Sequence, residues 1–177
     1  MDQKRIEELF RSNAYIGGEL RAINVVAVIE REDGSEEYIP GANIVTNDGD
    51  QYYAEAAVGS PSWSVAGLRL GTSNTAVAKT DTDVTTFLTG SGKAIDATYP
   101  KTNDADTDNT GAGVDIVTWT TSYTTSEGNG TGIQEGAIVD NITTPTKALC
   151  HFLFAASFDK TSSDTLKVIV NHQFNGV

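Results

Sequence analysis

The sequence predicts an all-β domain, a β-sandwich of jelly-roll or immunoglobulin-like type, with a short amino-terminal helical arm and one short internal helix. The last third of the 177-residue chain holds four segments rich in Thr, Val and aromatic residues: 114–123, 133–141, 148–154 and 165–174. Branched and aromatic side chains fit a pleated, half-buried surface. The segments recur at intervals of about 10 to 15 residues, separated by Ser, Gly, Asn and Asp, which is the rhythm of a sandwich or barrel. Helical periodicity is confined to two short stretches.

In the arm, residues 1–18, Asp2 is placed to cap a helix whose Ile6, Leu9 and Phe10 fall at i, i+3 and i+4, with Lys4 and Glu8 on the other face. Such a helix has about three turns at most and is marginal alone. Ile6, Leu9 and Phe10 are therefore expected to anchor the arm on a surface, either its own domain or a neighbour's groove. Gly17-Gly18 separates the arm from a single body, residues 19–177.

From Leu20 to Glu30 the chain is a near-continuous run of strand formers, which reads as a strand covered on both faces. Asp33-Gly34 supplies the positive φ angles of a tight turn, and Glu36 to Ile39 returns as its hairpin partner, with Pro40 expected to end the pairing. After a second turn signal at Asn47-Asp48-Gly49, the stretch from Asp50 to Val58 places Tyr52, Tyr53, Ala56 and Ala57 at helical spacing. A strand from Val65 to Leu70 is ended by Gly71. Residues 72–112 are rich in Thr, Asp, Gly and Asn, anchored at Val84–Leu88 and Ala94–Thr98. A structureless loop of that length is unusual in a compact domain, so one or two strands are expected within it. No internal repeat indicates a solenoid or propeller.

The net charge is −12, which repels a phosphate backbone and argues against nucleic acid as a partner. The same charge keeps a chain soluble at high copy number; a solvated exterior is its commoner reading, and complementarity to a basic surface on a protein partner is the alternative. No apolar run approaches the roughly 18 residues of a membrane span, and the charged start lacks the apolar core of a secretory signal. No membrane partner is expected. Cys150 is the only cysteine, so an intrachain disulfide and a multi-cysteine zinc site are excluded.

Among chemical constellations, Asp104, Asp106 and Asp108 stand at positions 1, 3 and 5 of a calcium-loop pattern with Asp115 at position 12. Against calcium, Asn109 replaces the usual Gly, the last ligand is Asp, and no helices flank the segment; a solvated acidic loop is the alternative. His151 and His172 sit in predicted strands with no partner at ligand spacing, so core or surface roles are expected of them. Cys150 reads as a small buried hydrophobe, with His151 pointing to the opposite strand face. No Gly-x-Ser-x-Gly elbow occurs, and Gly90-Ser91-Gly92-Lys93 lacks the rest of a phosphate loop. Trp63, Trp119, Tyr123, Phe152, Phe154 and Phe174 read as core aromatics in preference to a sugar-stacking platform. The sequons at Asn129 and Asn141 carry little meaning without a secretory signal.

Arg31-Glu-Asp-Gly34, Asn43-Ile-Val-Thr-Asn47, Leu70-Gly-Thr-Ser-Asn-Thr75 and Thr80-Asp-Thr-Asp83 together resemble a family of small virion structural proteins from tailed bacteriophages. So do Val117-Thr-Trp-Thr-Thr-Ser-Tyr123 and Gly130-Thr-Gly-Ile-Gln-Glu-Gly-Ala-Ile-Val139, and the stretch Phe158 to Val170 is similar to the family's closing hairpin. The resemblance runs from about Ala22 to Phe174 and implies a non-enzymatic, all-β accessory protein of the particle, assembled in the host cytoplasm. Two placements follow from it. In one, the chain is a capsid decoration or cement protein that bridges subunits of the major capsid protein, forming a homo-oligomer, with the trimer as the assembly such proteins often adopt. In the other it is a tail fibre or receptor-recognition module displaying residues 72–112 and 124–132. The resemblance carries no catalytic residues and no cofactor; the acidic residues 103–111 depart from the family pattern.

Overall fold

The structure, a computed structural model, describes residues 1–102 and 116–174. The acidic set Asp104, Asp106, Asp108 and Asp115 lies outside the described residues. Helix α1 (Gln3–Phe10) leads into a hairpin, β1 (Asn13–Ile16) and β2 (Glu19–Ala22), which forms a two-stranded sheet of its own. Then follow β3 (Val25–Glu30), β4 (Glu36–Val45), α2 (Asn47–Ala57), β5 (Gly67–Gly71), β6 (Lys93–Ala94), β7 (Lys101–Thr102), β8 (Ile116–Tyr123), β9 (Gly130–Val139), β10 (Ala148–Lys160) and β11 (Thr165–Gln173). Strands β3 to β11 make one nine-stranded antiparallel sheet in the order β6-β5-β9-β10-β4-β3-β11-β8-β7. The fold is thus all-β and sandwich-like, built by curling one large sheet.

Strand alternation decides what the curl encloses. The inward positions are Val25, Ala27 and Ile29 of β3, Leu68 and Leu70 of β5, Trp119 and Tyr123 of β8, Cys150, Phe152 and Phe154 of β10, and Leu166, Val168 and Val170 of β11; all belong to one buried cluster. Residues from opposite ends of the sheet meet there because the sheet rolls until its ends touch. The Asp96 amide donates to the Thr120 carbonyl of β8 at 2.9 Å, the Asp96 carboxylate accepts from the Ser122 amide (3.0 Å) and hydroxyl (2.7 Å), and the Tyr123 hydroxyl donates to the Ser91 carbonyl at 2.9 Å.

The outer face is apolar as well and is covered in three places. Ile6 of α1 packs on Val26, Val28 and Ile169. Ile16 of the hairpin packs on Ala42 and Leu153. Val84, from a strap formed by residues 72–88, packs on Ala137, Val139 and Ala148. This double coverage explains why β3 reads as a run without alternation: its first five residues are buried on both faces. Helix α2 lies against β10, where Gly49 lets the two backbones approach; a Cβ there would stand 2.0 Å from the Leu149 carbonyl oxygen.

Pro40 does not end the pairing. The Arg31 amide donates to the Ser35 carbonyl at 2.9 Å, closing a turn in which Gly34 has φ +79°. Counting from that bond in steps of two places Pro40 opposite Val26 at a position where no bond to β3 is made. The missing N–H points to the other side, where pairing with β10 runs from Gly41 to Val45. The arm boundary after residue 18 falls inside the β1–β2 turn, and α1 is docked on the same body it was expected to precede. In residues 72–102 the expected strands are reduced to two two-residue pieces, β6 and β7, with the apolar anchor Val84 buried under the strap.

Candidate functional site

Two groups of polar side chains stand out, and they are built differently. The first fastens the strap. Glu135 of β9 and His151 of β10 project from the outer face into the space beneath residues 72–88. One Glu135 oxygen, Oε1, accepts from the Ser73 amide (3.1 Å) and the Thr86 amide (2.8 Å); Oε2 accepts from the Thr85 amide (2.9 Å) and lies 2.9 Å from His151 Nε2. His151 Nδ1 lies 2.7 Å from an Asp81 carboxylate oxygen. With a carboxylate at each ring nitrogen, both nitrogens donate and the ring is an imidazolium. Burial opposes its charge, but the hydrogen bonds and fields of Glu135 and Asp81 outweigh burial and raise the pKa. Burial likewise opposes the Glu135 carboxylate, and His151 with the three strap amides holds its pKa below the ordinary value.

Beside this pair, Arg69 of β5 lies 3.2 Å from an Asp83 oxygen, donates to the Thr143 carbonyl at 3.0 Å and covers the Phe87 ring at 3.5 Å. Every bond named here ties the strap or a neighbouring loop to the sheet. Glu135 has its acceptor capacity taken by three backbone amides and an imidazolium. The chemistry of this group is therefore that of a clamp.

The second group lines a cleft of about 790 Å³ at the end of the curl, between the α1–hairpin segment and α2. Phe10, Tyr53 and Phe174 supply ring surface, Asn24, Asn43, Asn171 and His172 supply neutral polar groups, and Arg11 and Asp50 supply one charge of each sign, Asp50 being paired with Lys79. The Trp119 indole donates to the Tyr53 hydroxyl oxygen at 3.0 Å, and the same hydroxyl lies 2.6 Å from His172 Nδ1. Burial pushes the pKa of His172 down to about 3, so the ring is neutral. Its Nε2 is buried and has no hydrogen-bond partner among the described residues; the same holds for Asn43 Nδ2, while the Asn43 side-chain oxygen accepts from Asn24 at 2.7 Å.

Of the two surfaces expected to receive the arm, the chain's own sheet does so in the structure. Ile6 is 0% exposed on its own sheet, and Leu9 and Phe10 are partly buried beside it. His151 does have acidic partners, 70 and 16 residues away in the chain, which no local spacing could show. A legible hint was the lone carboxylate of Glu135 in an apolar strand. Cys150 is buried among core residues, with its thiol pushed up to about 12 by burial. Trp119, Tyr123, Phe152 and Phe154 are core, as expected, while Trp63 is partly buried and Phe174 is 46% exposed at the cleft rim. Ser91, in the glycine-flanked stretch, exchanges hydrogen bonds of 3.0 Å with the Leu70 amide and carbonyl, a structural use.

Among the described residues, no helix is long and apolar enough to cross a membrane. No family model, curated protein or solved structure matches the chain.

Proposed function

We propose that the chain is a structural protein of a tailed-bacteriophage particle, acting by contact and not by catalysis, and that it decorates the capsid by bridging neighbouring subunits of the major capsid protein. The observation that carries this reading is where the phage-like wording falls. Leu70–Thr75, Thr80–Asp83 and Gly130–Val139 are the segments that build the strap and its clamp, including Ser73, Asp81, Asp83 and Glu135.

The arm anchors are engaged within the chain, so the contact with a capsid subunit is assigned to the hairpin that α1 carries. Tyr15 and Leu20 face each other across β1 and β2 at 73% and 62% exposure. An aromatic and an aliphatic side chain paired on a two-stranded ribbon form a compact apolar contact that costs little to bury.

The test is binding of the purified protein to empty capsid shells, alongside immunogold labelling of the intact particle. Dense label over the head, with shell binding lost in a Tyr15→Ser/Leu20→Ser variant of unchanged melting temperature, is the expected result. Label confined to the tail moves the protein to the fibre or receptor-recognition reading. Absence of label from the particle overturns both.

A further inference from the structure

We propose that the β1–β2 hairpin makes its contact by strand addition: an extended segment of the partner subunit, apolar at alternate positions and not acidic, pairs along the outer edge of β2 and becomes a third strand. That subunit is the one assigned above, so strand addition rests on the capsid-contact reading and specifies how the hairpin holds its partner.

Hydrogen bonding within the ribbon decides which backbone groups are left over. Gly17 and Gly18, at φ 61° and 84°, close a two-residue turn, and Asn13 to Ile16 pair in register with Ala22 to Glu19. Beyond them the Ile23 amide donates to the Ser12 carbonyl at 3.1 Å. Bonded and non-bonded pairs alternate in an antiparallel ladder. Counting from Ile23 in steps of two puts the cross-ribbon bonds at Arg21 and Glu19, so the N–H and C=O of Leu20 and Ala22 point away from β1. Among the described residues, neither of these two backbones has a hydrogen-bond partner. Both residues are exposed.

This edge specifies its own occupant. Donors and acceptors that alternate at the repeat of an extended chain are matched along their length by another extended backbone. Edge strands that stay alone are commonly guarded by a proline, a bulge or a charge. Strand β2 has no proline and an unbroken register, and its two charges, Arg21 and Glu19, neutralise each other at 2.9 Å. Strand β1 is anchored instead: Ile16 packs on Ala42 and Leu153 with Ala14 beside them, so β1 holds the ribbon to the body and β2 is its outer strand.

Side chains narrow the segment further. Tyr15, Leu20 and Ala22 share the face turned from the body, Tyr15 directly across from Leu20. A strand laid along β2 places alternate residues beside Leu20 and Ala22 on that face. Apolar side chains there lengthen the Tyr15–Leu20 row, and the small Ala22 leaves room for the larger of the two. The chain's net charge of −12 disfavours an acidic segment.

The experiment is hydrogen exchange of the full chain, alone and bound to empty capsid shells, read at single residues. In the free protein the Leu20 and Ala22 amides should exchange faster than that of Ile23, and on the shells both should slow by about tenfold or more. Leu20→Pro removes an N–H that the ribbon itself does not use. It should weaken shell binding about tenfold with Ile23 exchange unchanged, while Leu20→Val, which keeps the N–H, binds as the native chain does. Shell binding that leaves the Leu20 and Ala22 amides unprotected overturns strand addition and leaves the capsid contact standing, as does full binding by Leu20→Pro. Failure of the native chain to bind shells overturns the capsid reading and strand addition with it.

Discussion

Glu135 and His151 lie 2.9 Å apart on adjacent strands, and the strap they hold belongs to neither strand. The pair converts a surface loop into part of the outer layer, because the same carboxylate binds the Ser73, Thr85 and Thr86 amides. Glu135→Ala leaves an imidazolium and three amides without their acceptor. It should cost about 3–5 kcal/mol, the range for breaking a buried charge pair. Urea denaturation measures the loss, and amide exchange should show Thr85 and Thr86 unprotected before the strands; unchanged protection there would remove the clamp.

The two histidines give opposite pH dependence. The folded-state pKa of His151 is raised above 6.5, so its contribution is complete below 6.5 and is lost as pH climbs through the raised value. Burial lowers His172 from 6.5 to about 3, so its contribution is complete above 6.5 and is lost as pH falls toward 3. Denaturation midpoints across pH should therefore fall less steeply on the alkaline side for His151→Gln. On the acid side they should fall less steeply for His172→Gln. Identical profiles for the two variants would contradict the assigned environments.

Docking of α1 on its own sheet makes Ile6 a core residue. Ile6→Ala should destabilise the chain by about 2–5 kcal/mol through the cavity left among Val26, Val28 and Ile169. The exposed pair Tyr15 and Leu20, changed together to Ser, should alter stability by about 0.5 kcal/mol or less per site. Thermal or urea melting of the two variants decides whether α1 is a packed element or a free arm.

Gly49→Ala reverses the usual sign for a helix. Alanine is the better helix former by about 1 kcal/mol, yet the new Cβ would stand 2.0 Å from the Leu149 carbonyl oxygen. A net destabilisation of about 1–3 kcal/mol is expected. A more stable variant would mean that α2 does not sit against β10 as described.

Much of the fold was legible because it is local. The unbroken run of β3 announced coverage on both faces, Asp33-Gly34 announced the turn, and Tyr52, Tyr53, Ala56 and Ala57 announced α2. Pro40 was misleading because the side to which its missing N–H points depends on the hairpin register, which is set earlier in the chain at Arg31 and Ser35. The clamp and the cleft were illegible for a related reason. Asp81 meets His151 across 70 residues, and Tyr53 meets His172 across 119, so neither pairing leaves a spacing to read.

The rolling of the large sheet also bears on self-association. Its outermost strands are the two-residue β6 and β7, and the long strands just inside them have their outward backbone occupied by short pieces of the same chain. Leu70 of β5 is bonded by Leu88 and Ser91, and Thr120 of β8 by Asp96. Among the described residues, a second molecule meeting either margin of this large sheet finds little unpaired backbone on which to add a strand, so edge-to-edge growth of the large sheet is blunted from within.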